Sequence, residues 1–216
     1  MVEETNNIEL ANLSKEQLIE MVQGLNEKLS KIQEDYQKVI NLRLYNLERR
    51  MNMNAQYQRR DTLEITGIPA DIPQEELEDD VIDLFKDMKV TVNRQPIRKI
   101  DIQAVHRIGK KGKVILKVVN RKFAQEALYN GKKLKDNKKY GEGTKLYINE
   151  SLIPEFGFIN FVIRKAQKAK KIYRYKIRNG IHFIQVGVDD DFVEIGHQND
   201  IENLGIEIPK QVGLPE

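Results

Sequence analysis

Leu18, Val22, Leu25, Leu29, Ile32, Tyr36, Ile40, Leu44, Leu47 and Met51 follow one another at steps of 4, 3, 4, 3, 4, 4, 4, 3 and 4 residues. This is the a/d seam of a coiled coil with one stutter. It constrains the chain more than any other feature, because a narrow apolar stripe on a helix of about 45 residues has to be covered by something. No Pro interrupts the span from Lys15 to Arg60, and Gly24 is its one Gly. Ser14 stands before Lys15-Glu16-Gln17, the arrangement in which a Ser caps the first turn and the Gln three residues on returns the bond. Strict a/d spacing favours copies of the same helix as the cover over a face of the following domain. The register makes Leu44 an a and Leu47 a d position, so Arg43 falls at g and Glu48 at e, where the Arg of one helix reaches the Glu of the next. The run Arg43-Leu44-Tyr45-Asn46-Leu47-Glu48 fits the Arg-h-x-x-h-Glu pattern of parallel three-stranded coiled coils. A parallel homotrimer is therefore expected over the alternative of a dimer, with Leu25, Leu29, Ile32, Tyr36, Ile40, Arg43, Leu44, Leu47, Glu48 and Met51 at the interface.

The rest of the 216-residue chain has room for one or two small domains. The absence of Cys excludes disulfides and thiolate metal sites. The longest apolar run, 158–163, contains Asn160 and falls far short of the ~20 residues of a membrane helix. The first residues, Met1-Val2-Glu3-Glu4-Thr5-Asn6-Asn7, are polar and acidic, unlike a secretory leader, and 1–13 reads as a disordered N-terminus. A soluble intracellular protein without a membrane partner is expected.

The net charge of +3 conceals segregation along the chain. Glu75 to Asp87 holds seven acids and one base, Lys89 to Lys145 holds 17 bases and 4 acids, and 151–188 holds 8 bases and 1 acid. Residues 189–216 reverse the balance with 8 acids and 1 base, and read as an acidic tail. A concentrated basic field is the footprint of a polyanion, because each neutralised phosphate releases condensed counterions.

Beyond the coiled coil, assigned to 14–60, the periodicity changes. Leu63-Glu-Ile-Thr-Gly-Ile68 alternates at period two and ends in Gly67 and Pro69, a strand and a turn. Glu76, Leu77, Val81, Ile82, Leu84, Phe85 and Met88 carry helical spacing with acids outside. A strand over 100–108, a turn at Gly109-Lys110-Lys111-Gly112, a strand over 114–119, a helix over 121–134 and a last strand over 145–149 complete the order βαββαβ. An α+β chain is expected, whose second domain, 61–150, has the ferredoxin-like arrangement of RNA-recognition motifs. Pro154 to Val188 reads as a helix, with Phe158, Phe161, Val162, Lys165, Ala166 and Ala169 on one face, followed by a hairpin turning at Asn179-Gly180. This small helix-plus-hairpin C-terminal domain, 151–188, carries Arg164, Lys168, Lys171, Arg174, Lys176 and Arg178, with Tyr173 and Tyr175 interleaved. Two residues apart on a strand, the two tyrosines share a face and are assigned to the core.

Three segments carry a resemblance: Arg59-Arg60-Asp-Thr-Leu-Glu-Ile-Thr-Gly-Ile-Pro69, Val105-His-Arg-Ile-Gly109 and Leu146-Tyr-Ile-Asn-Glu-Ser-Leu152. Together they resemble the RNA-binding first-open-reading-frame protein of LINE-type, non-LTR retrotransposons, over most of the chain. The resemblance implies a trimeric coiled coil, an atypical RNA-recognition motif and a C-terminal nucleic-acid-binding domain. It implies a protein that coats its transcript in cytoplasmic, also nuclear, ribonucleoprotein particles and acts as a nucleic-acid chaperone. Single-stranded RNA and DNA, copies of itself and the element's reverse transcriptase are the implied partners. One departure stands out. Lys113-Val-Ile-Leu-Lys-Val-Val119 lacks the aromatics on which RNA-recognition motifs stack bases, so binding through phosphates with weak sequence preference is expected. The candidate RNA contacts are Arg59, Arg60, Arg107, Lys110, Lys111, Lys113, Arg164, Lys168, Lys171, Arg174 and Arg178.

His106 and His182 are read as structural, with a phosphate contact beside Arg107 as the other role for His106. Asp189-Asp190-Asp191, Glu194, His197 and Asp200 have no ordered ligand spacing, and hydrolase and phosphate-loop motifs are absent. Neither a catalytic residue, a metal nor a cofactor is expected. The competing reading is a coiled-coil assembly protein whose basic surface binds acidic protein partners.

Overall fold

The computed structural model describes residues 14–109, 112–136, 139–141 and 143–208, so the N-terminal stretch 1–13 and the turn residues Lys110 and Lys111 lie outside the described residues. The chain is mixed α+β, a long N-terminal helix followed by antiparallel sheets. Two units divide it between Leu47 and Glu48.

Helix α1 runs over Lys15–Tyr57. Its start is set by the reciprocal cap: Ser14 N donates to Gln17 Oε1 at 2.9 Å and Gln17 N to Ser14 Oγ at 3.3 Å. In the first unit the stripe is bare, with Leu25, Leu29, Ile32, Tyr36, Ile40, Leu44 and Leu47 between 46% and 69% exposed. From Glu48 on the helix belongs to the second unit. His197 Nδ1 accepts from Asn199 N at 3.1 Å, so Nε2 carries the proton and donates to Glu48 Oε2 at 3.0 Å. Arg49 meets Glu194 at 2.8 Å and Asp200 at 3.5 Å, Met53 packs on the C-terminal core, and Gln56 is buried.

The alternating run after Arg60 becomes β1 (Thr62–Thr66), with Leu63 and Ile65 buried and Thr62, Glu64 and Thr66 on the other face. Then follow α2 (Leu77–Asp87), a short hairpin β2 (Thr91–Val92) and β3 (Gln95–Pro96), β4 (Ile102–Ile108), β5 (Lys113–Val118), α3 (Arg121–Asn130) and β6 (Tyr147–Glu150). The sheet order is β4-β5-β1-β6, every neighbouring pair antiparallel. Leu63, Ile65, Val114 and Leu116 of the sheet bury one face against Leu77, Val81, Leu84 and Phe85 of α2 and Phe123, Ala124 and Ala127 of α3. Each large side chain buried there contributes about 1.5–3 kcal/mol. Among the described residues the opposite face carries no helix of this domain. Gly67 has to be Gly: its φ is +100°, and a Cβ there would lie 2.3 Å from the Lys145 carbonyl oxygen.

Arg107 is half-buried, with its guanidinium turned onto backbone carbonyls of this domain. Its guanidinium donates to the carbonyls of Ile68 (3.3 Å), Gly112 (3.1 Å), Pro69 (2.5 Å) and Ile72 (3.3 Å), closing the loop after β1 onto the β4–β5 turn. The planar fork makes this possible and a Lys cannot reproduce it. Arg107→Ala and Arg107→Lys are both expected to lower stability, the former by about 2 kcal/mol, because several partly buried carbonyls lose their donor. Denaturant unfolding checks this, and a folded Arg107→Ala retaining parental stability would refute it.

The C-terminal part begins with α4 (Pro154–Lys168), where Pro154 is tolerated at the first helical position. Its buried face is Phe156, Ile159, Val162, Ile163 and Ala166. The expected face was rotated from this one, since Phe161 is 58% exposed and Phe158 only partly covered. Strands β7 (Arg174–Arg178) and β8 (Ile181–Gln185) form the expected hairpin, with φ of 54° at Asn179 and 76° at Gly180. The two tyrosines part company. Tyr175 packs on the core, whereas Tyr173 precedes the strand and is 42% exposed. The stretch from residue 189 to 208 is not a tail: β9 (Val193–Ile195) pairs with β8, α5 (Gln198–Glu202) follows, and Ile195, Ile201 and Ile206 enter the core. Its acids Glu194 and Asp200 are spent on Arg49, and Asp200 also accepts from the backbone of Gly196 and His197.

Candidate nucleic-acid interface

The helix-free face of the first sheet presents Thr62, Glu64, Lys113, Ile115, Lys117, His106 and Asn149, and the segment Ser151-Leu152-Ile153 leads from β6 over it into α4. Two recesses result. One, of about 620 Å³, lies between β1, β5 and β6 on one side and α4 on the other, with Arg59, Lys113, Asn149, Asn160 and Arg164 in its wall. The other, of about 640 Å³, lies on the β4–β5 side with His106 and Lys117. Arg59, Glu64, Leu152 and Ile153 line both, and Arg59 donates to the Leu152 carbonyl at 3.1 Å, so this contact divides the open face.

The electrostatics of the first recess are uneven. Lys113 pairs with Glu64 at 2.7 Å, which cancels one charge of each sign locally. Glu150 turns its carboxylate to the backbone N–H of Gly180, and burial pushes its carboxyl above the ordinary range. Arg164 is exposed and oriented by a bond from its Nε to the Tyr175 hydroxyl at 3.3 Å, which leaves its two terminal nitrogens for an anion. Asn160, Arg164 and Lys168 follow at four-residue steps, one stripe of α4. The Oδ1 of Asn160 is buried without a hydrogen-bond partner among the described residues.

Of the sequence candidates, the fold brings Arg59, Lys113 and Arg164 to one recess, with Lys168 one turn beyond on the same helix. Arg107 is withdrawn into the loop carbonyls. Arg174 and Arg178 do not line the recess: Ile177 does, and its strand neighbours point the other way. Arg174 lies 4.9 Å from the Tyr173 ring, Lys171 is 3.5 Å from Glu207, and Arg60 stacks 3.8 Å over the half-exposed Tyr57. His106 is exposed on the open face, against the expectation of a structural residue. Sequence reading missed Asn149 and Asn160, which have no spacing signature, and Tyr147, 50% exposed and paired with Thr66 at the end of β1. No known family model matches the chain, and neither does any curated protein.

Proposed function

We propose that the protein is a sequence-tolerant binder of single-stranded nucleic acid, of the kind found as the first-frame product of LINE-type retrotransposons, acting as a homo-oligomeric RNA chaperone. The observation that carries this reading is the recess between the open sheet face and α4, where Arg59 and Arg164 face a concave surface with carboxamides of Asn149 and Asn160 beside them. The four long strands lie in the order second, third, first, fourth, which is the RNA-recognition-motif order and supports that assignment. The bare seam supports a parallel homotrimer. Glu48 uses one carboxylate oxygen on its own chain's His197, and the second is available to Arg43 of a neighbouring copy.

Arg59 and Leu152 cross the middle of the sheet, so the strand engages phosphates in the recess rather than stacking on the central strands. Binding of a fluorescent ~30-nucleotide single strand across a salt series tests the reading. The parent is expected to bind unrelated sequences alike and to weaken steeply with salt. Arg59→Gln with Arg164→Gln should cost about tenfold and flatten the log–log salt slope by about 1.4, two phosphate contacts at roughly 0.7 each. No binding by the parent at low salt would overturn the proposal and leave an assembly protein with an acidic partner.

A further inference from the structure

The segment that joins the sheet to α4 has the makings of a hinge, three residues between two compact cores. Its backbone is instead held at almost every polar group. Ser151 N donates to the Thr62 carbonyl at 3.2 Å. The Ser151 carbonyl accepts from Gln56 Nε2 at 2.9 Å, and Ile153 N donates to Gln56 Oε1 at 3.0 Å. The Leu152 carbonyl accepts from Arg59, and Gly157 N donates to the Ile153 carbonyl at 2.8 Å. Gln56 is 1% exposed, the most buried polar side chain on α1, and its amide makes two of the bonds that hold the joint. The turn of the β7–β8 hairpin closes over it: a Cβ on Gly180 would sit 2.0 Å from Gln56 Nε2, and the Gly180 N–H is held by Glu150 at the end of β6.

We propose that Gln56 is a positioning residue that locks the sheet and the C-terminal part at one mutual angle and so presets the recess between Arg59, Lys113 and Arg164. This rests on the nucleic-acid reading for its purpose, though not for its geometry. A carboxamide presents a donor and an acceptor side by side without any change of protonation, matching a carbonyl and an N–H two residues apart. A hinge so clamped holds the binding geometry before the strand arrives, and the strand is spared the ordering cost of closing the recess. Losing the clamp leaves the competent geometry as one of several, and affinity falls in proportion to its population.

The test uses the full chain, whose lack of Cys permits clean spin labelling at Gln103→Cys on β4 and Gln167→Cys on α4, both exposed and outside the recess. Labelled chain is diluted into unlabelled chain so that distances within one chain are read by pulsed dipolar spectroscopy. Without nucleic acid the parent is expected to give one narrow distance distribution and Gln56→Leu a broadened one, with circular dichroism showing that both are folded. Gln56→Met keeps the length of the buried side chain but offers neither the donor to the Ser151 carbonyl nor the acceptor to Ile153 N. It should broaden the distribution as well, and it carries the test if the Leu variant does not fold. On the single strand, both variants should bind about tenfold more weakly with an unchanged salt slope, since every basic group is still present. A folded variant with the parent's narrow distribution overturns the clamp. Parental affinity despite a broadened distribution overturns its role in presetting the recess. Because the distances are measured without nucleic acid, a parent that binds no strand would refute the proposed function while the clamp is judged separately.

Discussion

Replacing Leu44 and Leu47 together by Asp is expected to convert the proposed homo-oligomer into a monomer of 25.2 kDa, read by sedimentation equilibrium or light scattering. Both residues are about half exposed in the single chain, 50% and 54%, so nothing in their own chain resists the change. In a coiled coil they are an a and a d knob, and two carboxylates per chain at adjacent layers would have to be desolvated side by side. The helix upstream of Glu48 should lose signal at 222 nm, because an isolated helix without a covered face is marginal in water. The second unit should keep its fold, since Arg49, Met53 and Gln56, which tie the helix end to it, are untouched. Each monomer retains its recess, yet affinity for a strand long enough to reach several copies should drop about a hundredfold, the loss being avidity rather than contact chemistry. A variant that stays oligomeric would show the register to be wrong.

What was legible in the sequence was whatever depends on near neighbours. The period-two run Leu63-Glu64-Ile65 announced β1, Asn179-Gly180 announced its hairpin, and Ser14 with Gln17 announced the helix start, each because the deciding interactions span a few residues. Features decided across the chain were not legible. The 17-to-4 basic block looked like an uncompensated field, yet the fold lays the acidic α2 against it, with Lys99 on Asp79 at 2.7 Å and Lys139 on Asp80 at 3.0 Å. Arg107 looked like a phosphate contact from its neighbours, and only the return of the loop after β1 shows that its two terminal nitrogens are engaged by carbonyls. The acids of 189–208 read as solvated tail because charge outweighed a sparse apolar pattern, Ile195, Ile201, Leu204 and Ile206, that the structure turns inward. Gln56 carried no signal, since a Gln among helix-favouring polar residues looks like surface until the segment 95 residues later is seen against it.

Between pH 6.5 and pH 4 the protein is expected to lose stability steadily, and His182→Leu to abolish most of that loss. His182 on β8 is 0% exposed, with its ring 5.8 Å from that of Phe156, edge to face, and neither ring nitrogen has a hydrogen-bond partner among the described residues. Burial pushes its pKa down from 6.5 to about 4. Above pH 6.5 both states hold a neutral ring and the group contributes no pH dependence. Below it the unfolded chain takes up a proton that the folded chain refuses, so stability falls as pH falls, and the loss is complete below the folded pKa. The interval corresponds to about 3 kcal/mol, a large fraction of the stability of a small protein. Glu150 works in the opposite direction, because its raised pKa lets the folded state protonate first, and the difference between parent and variant isolates His182 from it. At neutral pH the Leu variant should be at least as stable as the parent, since it removes two buried polar atoms that gain nothing from their surroundings and nearly conserves volume. Urea unfolding of both proteins at pH 7.5, 5.5 and 4.5 reads this out. Parallel pH profiles for the two would show that the ring is charged or solvated in the fold and refute the prediction.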